Sequence, residues 1–353
     1  MQAPPSDEVL IRREGRAGRI TINRPQALNA LTLGMVHRIW EALLAWRTDR
    51  AVELVLLDGA GDRALCAGGD VRALYDSREQ GSALARTFWR DEYPLNALIG
   101  RYPKPFVAIQ DGIVMGGGIG LSGHARDRIV TERSRLAMPE TGIGLIPDVG
   151  GTWLLANAPG AVGVYLGLTG EAMRAADAIY AHFADVFIPS VEIAQLVERL
   201  VDPKGGPVGA IIRALTGDAG PSPLAERRAD IDRAFGGDSV EAMLAALGGM
   251  PGEWAQKTAA TLAQKSPKSL KLTLAAIRNA RSLGSLEEAL NVEFRLCVRL
   301  FEDGEFIEGV RALLVDKDRQ PKWSPARLEE VQAETVAAYL APLAPGEELG
   351  LKP

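Results

Sequence analysis

Between Lys104 and Trp153 the chain reads KPFVAIQDGIVMGGGIGLSGHARDRIVTERSRLAMPETGIGLIPDVGGTW, and this stretch limits the fold more than any other. The run Phe106-Val107-Ala108-Ile109 has the continuity of a strand buried on both faces. It empties into Gly116-Gly117-Gly118, a loop without side chains where a ligand can touch backbone. Further on, Gly142, Gly144 and Pro147 lie between Glu140 and Asp148 and rule out one continuous helix carrying both. The two acids therefore sit on turns. Met138, Ile143, Leu145, Ile146 and Val149 surround them in sequence, so a carboxyl turned inward here is poorly solvated and its pKa rises. That suits a proton carrier or a nucleophile.

The rest of the chain supplies strands and helices in alternation. Val9 to Arg13 and Arg19 to Asn23 read as a strand pair joined by a turn at Gly15 to Gly18. From Thr32, a candidate N-cap, Val36, Ile39, Trp40, Leu43 and Leu44 recur at helical spacing. Val52 to Leu57 is a second short apolar run, and Leu65-Cys66-Ala67-Gly68-Gly69-Asp70 is a second glycine loop opening a helix. Ser82 to Leu98 is helical again, ended by Pro103-Lys104-Pro105. Such alternation predicts an α/β class with covered parallel sheets. Ala161 to Leu168, Ala172 to Ala181 and Val191 to Leu200 read as helices. Asp202 to Pro207 and Thr216 to Pro223 are rich in turn residues, and Ser239 to Leu247, Glu253 to Gln264, Ser269 to Ser282 and Leu286 to Glu302 follow as helices. We place a catalytic core at 1–201 and a helical carboxy-terminal region at 202–353, a division that 353 residues readily support.

Charge and cysteine usage exclude several classes. A formal net charge of -5 argues against a general nucleic-acid binder. Cys66 and Cys297 lie far apart without metal spacing, and His37, His124 and His182 are equally scattered, so no metal site and no disulfide framework is expected. MQAPPSDEVL lacks the basic and apolar regions of a leader, and no apolar run approaches membrane-spanning length. The expectation is a cytoplasmic protein with no membrane partner.

Within the central stretch, Gly118-Ile119-Gly120-Leu121-Ser122-Gly123 matches a dinucleotide fingerprint formally, but it begins well past the strand end, inside a longer glycine run. Ser122 has Gly120 before it and His124 after it, so the nucleophile-elbow pattern fails. Pairing the loop at Gly69 with the loop at Gly117 explains more. Two bare backbone N–H groups converging on a carbonyl oxygen make an oxyanion hole. Each feature alone has a bland reading: the loops as tight turns, Glu140 as a solvated residue, Asp148 as a helix N-cap. Their co-occurrence in one segment favours a catalytic site.

Longer motifs carry a resemblance. NRPQALNAL (23–31), ALCAGGDVRAL (64–74), YPKPFVAIQDGIVMGGGIGLS (102–122) and MPETGIGLIPDVGG (138–151) resemble the enoyl-CoA hydratase/isomerase, or crotonase, superfamily. KSPKSLKLTL (265–274) and EGVRALLVDKDRQPKW (308–323) are similar to its 3-hydroxyisobutyryl-CoA hydrolase subgroup. The resemblance implies a crotonase-like spiral of ββα units enclosing two sheets, with a helical carboxy-terminal region that in relatives often helps build trimers or hexamers. It implies an acyl-CoA substrate and no cofactor, coenzyme A being part of the substrate.

Carried onto this numbering, the resemblance makes the N–H groups of Gly69 and Gly117 an oxyanion hole for a thioester carbonyl, and Ala67, Gly68, Gly116 and Gly120 substrate-binding residues. Glu140 matches a catalytic glutamate of hydratases and hydrolases alike. Gly120 stands where hydratases carry a second catalytic Glu. Asp148 matches an aspartate of the hydrolase subgroup, so the implied reaction is thioester hydrolysis. Glu140 then attacks the carbonyl or activates water, while Asp148 binds a 3-hydroxyl and assists proton transfer. Lys265, Lys268 and Lys271 either meet coenzyme A phosphates or form a solvated helix face. Two other readings are a hydratase or isomerase on the same fold and a non-catalytic acyl-CoA-binding scaffold.

Overall fold

The computed structural model describes residues 8–80 and 83–353. Residues 1–7 of the stretch read above for a leader lie outside them, as does Ser82, the expected start of a helix. Strands β1 (Val9–Glu14) and β2 (Ala17–Ile22) pair antiparallel, with Val9 opposite Ile22 and Glu14 opposite Ala17. The turn is shorter than expected, only Gly15 and Arg16. Gly15 sits at φ +54°, and a Cβ there would stand 1.9 Å from the Val201 carbonyl oxygen, so no other residue fits.

Strands β3 (Leu54–Gly59), β5 (Phe106–Gln110), β7 (Asp127–Val130) and β9 (Val186–Phe187) continue this sheet in the order β1-β2-β3-β5-β7-β9, every pair after the first being parallel. All five residues of β5 are buried, as its unbroken apolar run requires. Ala17, Leu54, Leu56, Val107, Ile109 and Ile129 pack with Leu196, Leu200, Ile211 and Ile212 from the helices Ile193–Val201 and Val208–Leu215.

A second sheet of three very short strands, β4 (Ala64–Cys66), β6 (Ile113–Met115) and β8 (Arg135–Ala137), runs in the order β4-β6-β8. Each of β3, β5 and β7 is thus followed by a partner in the smaller sheet and then by a helix or helical turn. This is the α/β spiral of ββα units. The strand before the glycine triplet is accordingly β6, not β5. The chain reverses at Asp111-Gly112, with Gly112 at φ +73°, and only then reaches Gly116.

The helix Leu33–Thr48 starts at Thr32, whose hydroxyl accepts from Met35 N. Later helices begin the same way. Ser239, Ser266 and Ser285 accept from Ala242 N, Ser269 N and Glu288 N at the starts of Val240–Gly248, Pro267–Ala280 and Leu286–Glu302. The chain divides into two compact units, each assembled from three stretches: Met1–Gly69, Pro94–Leu136 and Met173–Pro223 in the first, and Asp70–Tyr93, Ala137–Ala172 and Leu224–Pro353 in the second. No helix among the described residues is long and apolar enough to cross a membrane.

Candidate active site

In the first unit the two glycine loops leave neighbouring strands. Ala64 pairs with Ile113 and Cys66 with Val114 in the parallel β4–β6 ladder, so Ala67-Gly68-Gly69 and Gly116-Gly117-Gly118 emerge side by side. The first loop is tied down by Ala67 N donating to Leu28 O (3.0 Å) and Leu31 N donating to Gly68 O (2.8 Å). A Cβ on Gly118 would stand 2.2 Å from Cys66 O, so the close approach of the two loops requires glycine there. Gly117 opens the buried helix Gly117–Ser122, where first-turn N–H groups have no intrahelical acceptor. Among the described residues neither Gly69 N nor Gly117 N donates to a protein acceptor. Ser122 is no nucleophile: its hydroxyl donates to Gly118 O (2.7 Å) and accepts from Gln110 Nε2 (3.1 Å).

The second unit holds the carboxyl groups. Glu140 opens the helical turn Glu140–Ile143, which closes on Gly144 at φ +73°. A Cβ on Gly144 would meet Glu305 O at 2.2 Å, so the turn is pressed against the start of the helix Glu305–Val310. Glu140 is only 4% exposed, and its Oε2 has no hydrogen-bond partner among the described residues. The solvated reading of Glu140 therefore fails. Asp148 is 5% exposed, and its Oδ2 accepts from the Tyr93 hydroxyl at 2.7 Å. It caps no helix through its side chain; the cap of Gly151–Ala156 is Gly150. The Tyr93 oxygen also lies 3.3 Å from Cys297 Sγ. Glu293, fully buried on the Leu286–Glu302 helix, accepts from Gly150 N (2.7 Å), Thr152 N (2.9 Å) and the Thr152 hydroxyl.

Four buried acids, Glu92, Glu140, Asp148 and Glu293, thus share one neighbourhood. Burial pushes Glu140 well above the ordinary carboxyl range, with the Asp148 and Glu293 charges adding to it, while its own backbone hydrogen bond and Lys265 oppose. Burial also raises Asp148, to about 6, against the hydrogen bonds from Tyr93, its own backbone and Cys297. Glu293 is raised to about 8, again first by burial. Glu92 rises well above its usual range through burial and then the Asp148 charge. Each charge of the pair thus opposes the other, and burial holds both carboxyl groups above their ordinary range.

The structure thus sets Ala67, Gly68, Gly69, Gly116, Gly117 and Gly120 together in the first unit, and Glu140 with Asp148 in the second. The solvated-face reading of the lysines gives way for two of them. Lys268 is 6% exposed, pairs with Asp303, and lies 3.4 Å from Glu305 Oε2. Lys271 donates to Val331 O (2.8 Å) and pairs with Glu241 at 2.6 Å. Lys265 is half-buried beside Gly142, within 3.4 Å of where a Cβ would stand. Sequence reasoning missed Tyr93, Glu293 and Cys297. Glu293 did carry a signal: it is a lone acid on the stripe formed by Leu290, Phe294 and Cys297.

Comparison with known proteins agrees with the fold. A family model described as enoyl-CoA hydratase/isomerase matches residues 17–340. The 3-hydroxyisobutyryl-CoA hydrolase, mitochondrial, of Danio rerio is 42% identical over 344 residues, covering 95% of this chain and 90% of that protein. The protein of the same name from Homo sapiens is 39% identical, covering 93% and 87%. Among solved structures, a carnitinyl-CoA dehydratase from Mycobacterium thermoresistibile is 47% identical with a TM-score of 0.93 over 98% of both chains. An enoyl-CoA hydratase from Rhodobacter sphaeroides is 44% identical, with a TM-score of 0.91 over 98% of this chain and all of that one. With nearly its whole length matched in sequence and in fold, the chain belongs to the enoyl-CoA hydratase/isomerase family.

Proposed function

We propose that this protein is an acyl-CoA thioester hydrolase whose preferred substrate is 3-hydroxyisobutyryl-CoA, cleaved to 3-hydroxyisobutyrate and coenzyme A. The observation that carries the reading is Asp148, a buried carboxyl held by Tyr93 in the same acidic cluster as Glu140. In this reading the N–H groups of Gly69 and Gly117 hold the thioester carbonyl and stabilise the negative charge that develops on it. Ala67, Gly68, Gly116 and Gly120 line the acyl group with little more than backbone.

Two routes share these parts. In one, ionised Glu140 attacks the carbonyl carbon, the thiolate leaves and takes a proton, and water then cleaves the mixed anhydride to restore Glu140. In the other, Glu140 takes a proton from water as the water attacks. Asp148 receives the 3-hydroxyl group in both. That hydrogen bond partly offsets the Asp148 charge, which adds to burial in raising Glu140, so binding a hydroxylated substrate lowers the cost of ionising Glu140.

Hydration of an enoyl-CoA is the second reading, favoured by the names of the two solved structures at 47% and 44% identity. Gly120, without any side chain to handle the added water, weighs against it. In the hydrolase reading the reaction belongs to valine breakdown. The two buried cysteine thiols accord with a reducing compartment such as the cytoplasm. The test sets coenzyme A release from 3-hydroxyisobutyryl-CoA beside hydration of crotonyl-CoA, for the protein and for Glu140→Gln and Asp148→Asn. Rapid thiol release lost in both variants is the expected result. Brisk hydration with slow thiol release overturns the proposal in favour of a hydratase, and neither activity leaves a binding scaffold.

A further inference from the structure

The residues that follow Asp148 are held in an unusual way. Val149 adopts φ +53° and Gly150 φ +80°, two left-handed residues in succession. For a β-branched residue that conformation is a genuine outlier. It persists only where the surroundings over-determine it. The turn is closed by its own backbone, Gly151 N donating to Asp148 O at 2.6 Å, and is held from outside by Glu293. One of its oxygens takes the Gly150 N–H and the other takes both the N–H and the hydroxyl of Thr152, all in the buried interior. Every hydrogen bond of this clamp lands two to four residues beyond Asp148, and none lands on Asp148 itself. On its other side Asp148 is held by Tyr93.

We propose that Glu293 is a positioning residue that sets selectivity for the substrate's 3-hydroxyl group, by holding the strained Val149-Gly150 turn and so fixing where Asp148 presents its carboxyl group. The inference rests on the hydrolase reading above and deepens it. An ionised carboxylate is the side chain this clamp needs: burial opposes its charge, but the partners on Gly150 and Thr152 all donate and favour it. Glutamine has one accepting oxygen and an amide that only donates, so in either orientation it sets an N–H against Gly150 N or against the donors of Thr152. The buried loop then loses a partner and shifts, and Asp148 shifts with it. A misplacement of an ångström is enough to cost a large factor in rate.

The test compares kcat/KM for 3-hydroxyisobutyryl-CoA with that for isobutyryl-CoA, which lacks only the hydroxyl. In Glu293→Gln the ratio falls by about tenfold or more, because only the hydroxylated substrate uses Asp148. Thr152→Val, which removes one of the three hydrogen bonds, lowers the ratio in the same direction by a smaller factor, and Thr152→Ser preserves it. A loss equal for both thioesters in Glu293→Gln is what a merely structural role produces, and it overturns the proposal. Should Glu293→Gln fail to fold, the Thr152 pair decides, and an unchanged ratio in Thr152→Val overturns it. Wild-type protein that releases no coenzyme A from either thioester overturns the hydrolase reading and this inference together, whereas an active wild type with equal losses overturns the clamp alone.

Discussion

Asp148 places a stability cost in the fold that substitution should release. Its folded-state pKa of about 6 stands above the ordinary 3.8, first because it is buried. The folded chain therefore binds this proton more tightly than the unfolded chain. Below about pH 4 both states carry it, and Asp and Asn are nearly equivalent. As pH rises towards 6 the unfolded chain ionises first, and stability is lost until the folded carboxyl ionises too. About two pH units separate the values, at ~1.4 kcal/mol each, so Asp148→Asn should be more stable than the wild type by up to ~3 kcal/mol at pH 7.5. The amide keeps an oxygen for the Tyr93 hydroxyl, so that hydrogen bond survives, while the second accepting oxygen is lost, which is why the gain is an upper limit. Glu92 and Glu140 each lose a repulsive neighbour, which acts in the same direction. Urea unfolding of both proteins from pH 4 to pH 8 is the assay. The difference should be near zero at pH 4 and grow through pH 6. A variant less stable at pH 7.5, or an offset that ignores pH, would refute the reasoning.

Two further outcomes follow from contacts elsewhere. Gly118→Ala forces a methyl group to within 2.2 Å of the Cys66 carbonyl oxygen, where only backbone can yield, and so spreads the paired glycine loops. We expect thiol release to slow by about a hundredfold or more, the usual cost of losing one oxyanion donor, and an unchanged kcat would rule out the role proposed for Gly69 and Gly117. Lys268→Met removes the cation from a buried pair with Asp303 and Glu305 and should destabilise the fold by ~3 kcal/mol in urea unfolding. Because that ammonium is committed inside the protein, KM for the acyl-CoA should stay the same; a large rise would restore the phosphate reading of this lysine.

The parts legible from sequence are those whose signal is local. The continuous apolar runs found β3 and β5, the Thr32 hydroxyl marked the true start of its helix, and Leu286 to Glu302 coincides with the observed helix. Strands β4, β6 and β8 were missed because three residues are too few to show a period. β7 was hidden by Asp127 and Arg128, which break its apolar run. The acidic pair drew attention through the glycines and proline between its members, but its surroundings did not. Tyr93, Glu293 and Cys297 come from stretches 55 to 149 residues away along the chain, and only tertiary packing brings them to Asp148. Wherever a bland local reading lost, as for Glu140 and for Lys268, burial decided the matter, and burial is not a local property.

The ladder between β4 and β6 also bears on how such a scaffold changes over generations. Donors supplied by main chain are indifferent to which side chain their residue bears, so in the proposed role nearly every point substitution at Gly69 or Gly117 leaves an N–H in place; proline alone deletes it. What can fail there is shape, through crowding of the kind a methyl group at Gly118 would bring. The acids have no such insurance, since a single replacement removes Glu140 or Asp148 outright. A lineage built on this fold can therefore keep its grip on a carbonyl while exchanging one chemistry for another, and positions 120, 140 and 148 are where that history should be written.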